Sequence, residues 1–74
     1  MHMEVTKLID YSPLWETMKQ RSISQYDLIN MGVDKHTMDS LRNNRSITML
    51  TLEKLCILLE CGPDGIVAFP QPKE

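Results

Sequence analysis

Apolar positions along the chain fall into short groups at helical spacing, each preceded by a polar residue able to cap a helix. Leu14, Trp15 and Met18 lie at i, i+1 and i+4 behind Ser12 and Pro13. Serine accepts orphan amide hydrogen bonds at a helix start and proline suits the first helical position, so a first helix is predicted from a Ser12 cap to residue 20. Ser24 caps a second, with Asp27 three residues on able to reach back. That helix should bury Leu28 and Ile29 and stop near Asn30, because Gly32 can take the left-handed conformation that ends helices. Val33 packs the turn and Asp34 caps a third helix over residues 35–43. Thr48 caps a fourth over residues 49–60, where Leu52, Leu55, Cys56 and Leu59 share one face at i, i+3, i+4 and i+7. At about 100° per residue, Leu50 and Ile57 point nearly the other way.

The ends of the chain read differently. Residues 1–11 alternate loosely through Val5, Leu8, Ile9 and Tyr11, as an extended segment does. Gly62-Pro63 stops the fourth helix, residues 63–66 can make one more turn, and residues 66–69 read as a short strand before a polar tail. The expected fold is all-α: four to five short helices over residues 12–66, flanked by an N-terminal extended segment (1–11) and a C-terminal strand and tail (67–74) whose β segments can pair.

The third helix is the unusual one. On a helical wheel Thr37, Met38 and Leu41 cluster on one side. Lys35, His36, Asp39 and Asn43 lie opposite, with Ser40 and Arg42 on the flanks. The inward face has only two large apolar residues, and the outward face carries groups able to hydrogen-bond base edges or phosphates. The three-residue turn Met31-Gly32-Val33 joins this helix to the second, which is the outline of a helix-turn-helix. Taken singly, Lys35, His36 and Arg42 are ordinary solvated side chains. Asp39 would be repelled by phosphates unless it accepts from a cytosine amino group or pairs with a nearby arginine.

Composition narrows the function further. The chain has 74 residues, 42% of them apolar, enough for one domain and one core with little room for a deep catalytic cleft. No Gly-rich phosphate loop, paired acids or nucleophile triad is present, so no enzyme is expected. No apolar run of about 18 residues and no signal-peptide pattern occurs, so the chain is expected in the cytoplasm without a membrane partner. Cys56 and Cys61 match no zinc spacing with His2 or His36 and read as small hydrophobes. Neither a metal, a cofactor nor a small-molecule ligand is expected. Net charge is −2, but residues 1–18 and 46–74 each carry −2 while residues 19–45 carry +2. This basic island contains the third helix.

Three stretches, YSPLWETMKQRSISQYDLI, GVDKHTMDSLRNN and SITMLTLEKLCILLECGPDGIVAFP, resemble small Xre-type helix-turn-helix regulators of the phage Cro and repressor kind. The similarity covers residues 9–70. It implies that Gln25 bonds a DNA phosphate, that Lys35, His36 and Ser40 face base edges, and that Thr37, Asn43 and Asn44 lie near the backbone. Asp39 joins the base-contact candidates from its outward position. Arg42 and Arg45 join the phosphate contacts by charge and proximity.

The expected function is a sequence-specific DNA-binding transcriptional regulator, a repressor in the first instance, with helix 35–43 in the major groove. Double-stranded DNA is the expected partner. A homodimer is expected because one short recognition helix offers few contacts and pairing two half-sites is the usual remedy. The alternative is a protein-interaction or antitoxin-like module that keeps the fold with little DNA affinity.

Overall fold

Side-chain caps start three of the four helices where the sequence places them. In the computed structural model, which describes residues 9–69, α1 spans Ser12–Gln20, α2 Gln25–Asn30, α3 Lys35–Arg42 and α4 Met49–Leu59, and a 3-10 turn follows at Pro63–Gly65. Ser24 Oγ accepts from the Asp27 amide at 3.0 Å and Asp27 Oδ2 accepts from the Ser24 amide at 2.9 Å, a reciprocal capping box. Asp34 accepts from the Thr37 amide at 2.7 Å and Thr48 from the Thr51 amide at 3.1 Å. The start of α1 departs from expectation. Ser12 is its first helical residue and caps nothing; Asp10 Oδ1 instead accepts from the Ser12 amide at 3.0 Å and from its hydroxyl at 2.7 Å. The carboxylate two residues earlier takes the Ser12 hydroxyl as a donor and so draws it away from the helix amides, because hydrogen bonds to ionised groups are the stronger ones.

All four helices end in one manner. A residue with positive φ follows each last turn: Ser22 (57°), Gly32 (114°), Asn44 (53°) and Glu60 (53°). The next amide then reaches back to a carbonyl five residues earlier: Ile23 to Met18, Val33 to Leu28, Arg45 to Ser40 and Cys61 to Cys56, at 2.9, 3.0, 2.8 and 3.0 Å. These are Schellman motifs, which satisfy orphan carbonyls and usually bring the two bonded residues' side chains together. The pairing sets half-buried Ile23 beside buried Met18, and buried Val33 beside buried Leu28. It also explains why Cys56 and Cys61 are neighbours: they occupy the two contact positions of a helix end, half-buried and as free thiols.

Packing follows the predicted faces. Leu14, Leu28, Met38, Leu41, Leu55, Leu59 and Ile66 are fully buried, with Tyr11, Met18 and Val33 nearly so. Burying a side chain of this size contributes about 1.5–3 kcal/mol. Leu52 and Cys56, expected on the same face of α4 as Leu55 and Leu59, are only half-buried. The 3-10 turn packs on α1 and α4, tied by the Thr17 hydroxyl, which donates to the Gly65 carbonyl at 2.8 Å. The strand expected over residues 66–69 contracts to a single antiparallel bridge between Asp10 and Ala68; Ile66 is drawn into the core by the 3-10 turn before it. Among the described residues there is no sheet. Most of the N-terminal segment and the tail, residues 1–8 and 70–74, lie outside the described residues.

Candidate nucleic-acid interface

The α2–turn–α3 unit is held from two directions. Gly32 sits at φ +114°, a conformation that L side chains rarely adopt, and the Val33 side chain is buried beneath it. From α4, Lys54 Nζ donates to the Gly32 carbonyl at 2.7 Å. This brace could not be seen in the sequence, because 22 residues separate the partners. Met38 and Leu41 anchor α3 to the core, and α2 and α3 pack against one another.

With its inner face fixed, α3 presents Lys35, His36, Arg42 and the residues that follow to solvent. Lys35 and His36 form its first turn, both exposed and free of ion pairs among the described residues. Thr37 is half-buried at the edge. Ser40 is a correction: placed on the outward flank by the wheel, it is only 8% exposed. The wheel considered the helix alone, whereas Asn44 turns the chain back so that the Arg45 amide bonds the Ser40 carbonyl at 2.8 Å. The returning loop covers Ser40 and leaves a groove of about 300 Å³ lined by His36, Ser40, Ser46, Thr48 and Thr51.

The exit of α3 is a polar network. Arg42 Nη1 donates to Gln25 Oε1 at 2.8 Å, joining the first residue of α2 to the last of α3. Asp39 lies between two guanidinium groups, Oδ1 at 3.9 Å from Arg42 Nη2 and Oδ2 at 3.4 Å from Arg45 Nη1. Asn43 Nδ2 donates to the Asp39 carbonyl at 2.8 Å and to its Oδ1 at 3.3 Å. Asn44 does structural duty, its Oδ1 accepting from the Tyr11 amide at 3.2 Å. The Tyr11 hydroxyl donates to the Arg45 carbonyl at 2.6 Å. Gln25, Arg42, Asn43, Asn44 and Arg45, expected as phosphate contacts, are thus brought together, and Tyr11 is the support that sequence reasoning missed.

The exposed carboxylates of Asp27 and Asp34 are committed to amides of their own helix starts. Backbone and side-chain bonds from Ser24 hold the Asp27 carboxyl below the usual carboxylate range, and those from Thr37 do the same for Asp34. Both stay ionised at helix N-termini, where negative charge is favoured.

A family model of Cro/C1-type HTH DNA-binding domains matches residues 13–72, taking in α2, α3, α4, the turn just described and all of α1 but its first residue. The chain belongs to this family. No curated protein and no solved structure matches the chain. The domain that defines this family is a helix-turn-helix DNA-binding domain, so this chain is a DNA-binding regulator in the general sense. Among its described residues, no group of three His, Cys, Asp or Glu side chains could hold a metal ion, and no helix is long and apolar enough to cross a membrane.

Proposed function

We propose that this Cro/C1-type chain is a sequence-specific transcriptional repressor acting in the cytoplasm as a homodimer, with α3 in the major groove. The observation that carries this reading is the first turn of α3. Lys35 and His36 stand exposed and unpaired where recognition helices of this motif meet base edges, on a helix braced by Gly32, Lys54 and the core. Gln25, Arg42 and Arg45 supply phosphate contacts around it. With its Oε1 occupied by Arg42, Gln25 retains two amide protons for a phosphate oxygen. Ser40 and Asn44, largely committed to the fold, contribute little directly. The dimer surface includes the solvent face of α4, where Leu50 and Ile57 are 75% and 68% exposed.

The test is the paired substitution Lys35→Ala and His36→Ala. Specific duplex binding should be lost with thermal stability nearly unchanged, because neither side chain is buried. Unfolding of the variant would show that these residues serve the core. Titrating salt against binding to random-sequence duplex separates DNA binding from a protein-interaction role. Phosphate contacts give a steep negative log–log slope, and a protein-interaction module gives a flat response.

A further inference from the structure

Resting on the DNA-binding reading, we propose that Asp39 is a positioning residue: it sets the guanidinium groups of Arg42 and Arg45 toward phosphate and reads no base. A carboxylate that accepted from a cytosine amino group would need an oxygen turned to the groove. Both oxygens of Asp39 face the protein's own cations instead, Oδ1 toward Arg42 and Oδ2 toward Arg45, and the Asn43 amide adds a donor to Oδ1. Arg42 is gripped from its other side as well, with Gln25 Oε1 at 2.8 Å from Nη1. A guanidinium has five N–H donors in a rigid fork, so two directions can be fixed by the protein while the others stay open to a phosphate.

The arrangement does little for the fold. Arg42 and Asp39 side chains are each 47% exposed and Arg45 is 55% exposed, and solvated ion pairs of this kind contribute next to nothing to stability. Its consequence is geometric. Two flexible arginines at the exit of α3 are held in register with the first residue of α2, at the expense of one unit of positive charge facing the DNA. Asp39 therefore lowers attraction to any duplex while sharpening the fit to one register.

The experiment uses the full chain with Asp39→Ala and Asp39→Asn. Each is measured by equilibrium binding to a random-sequence duplex across salt concentrations, and to the duplex that the wild type enriches from a random library. Both variants should bind random duplex more tightly, with a log–log salt slope steeper by about one unit, as one further phosphate is neutralised. Preference for the selected duplex over random duplex should fall about fivefold or more, uniformly across positions. Re-selection with either variant should return the wild-type base preferences. A changed preference confined to one position of each half-site would mean that Asp39 contacts a base, overturning the proposal. A wild-type slope in Asp39→Asn would overturn it too, since the charge would then be irrelevant. A wild type with no salt-dependent duplex binding removes the DNA-binding reading itself, and this is decided before either variant is measured.

Discussion

Replacing Tyr11 by phenylalanine isolates the contact that holds the exit of α3. The ring is 2% exposed and sits at the junction of the Asp10–Ala68 bridge and α1. Its hydroxyl donates to the Arg45 carbonyl at 2.6 Å, 34 residues away. Phenylalanine keeps the apolar packing and loses only this bond. A neutral hydrogen bond contributes about 0.5–1.5 kcal/mol net, and an orphaned buried acceptor costs more. Arg45 is exposed, so water can reach its carbonyl and the expected loss is about 1 kcal/mol. In a domain of this size that lowers Tm by about 4–8 °C.

The pH dependence gives a second, independent reading. Burial raises the Tyr11 phenol above its ordinary value, so the folded state favours the neutral form. The stabilisation is complete below the unfolded pKa, about 10, and is lost as pH rises through the higher folded value. The difference in Tm between wild type and Tyr11→Phe should be constant from neutral pH to about 9 and shrink above about 10. Differential scanning calorimetry across that range measures both quantities. A Tm unchanged at neutral pH, or a gap that widens with alkalinity, would refute the argument.

Two further substitutions test how the helices are joined and ended. Lys54→Met keeps the aliphatic stem but removes the bond to the Gly32 carbonyl. Tm should fall only slightly while the turn amides of Gly32 and Val33 exchange faster with deuterium; unchanged exchange would mean that the brace is idle. Glu60→Gly relieves a left-handed residue at the end of α4. The gain, about 1–2 kcal/mol for the conformation less the entropy of a glycine in the unfolded chain, leaves about 0.5–1 kcal/mol of stabilisation. A lower denaturant midpoint for Glu60→Gly would show that the side chain itself matters.

The helix starts were legible because their signals are local. Ser24, Asp34 and Thr48 each bond an amide three residues on, and such a pattern lies within one glance of the sequence. The helix exits were not. Gly32 announced itself, but Ser22, Asn44 and Glu60 adopt positive φ with no residue-type signal strong enough to mark them. The reach-back bonds that follow them depend on apolar contacts settled only in the folded chain. Ser40 failed for a related reason: a wheel assigns faces of an isolated helix, and the loop turned by Asn44 lies over one of them. Tyr11 and Lys54 support the candidate interface across 34 and 22 residues, beyond any periodic pattern. The caps and the inner and outer faces of α3 could largely be read, whereas the supports that hold its exit could not.

The acidic composition looked like an objection to DNA binding, and the positions of three aspartates answer it. The basic stretch of residues 19–45 contains Asp27, Asp34 and Asp39. Asp27 and Asp34 are turned onto the amides of their own helix starts, where the partial positive charge of the helix end offsets them. Their lowered pKa values show that the ionised form is the one those amides hold. Asp39 is flanked by Arg42 and Arg45. Each negative charge in the stretch thus has a partner within the protein. Lys35 has none among the described residues, and Arg42 and Arg45 share a single carboxylate between them. What an approaching phosphate meets at the exit and first turn of α3 is Lys35, Arg42 and Arg45 against the one carboxylate of Asp39, because Asp27 and Asp34 are already answered by the amides of their own helix starts.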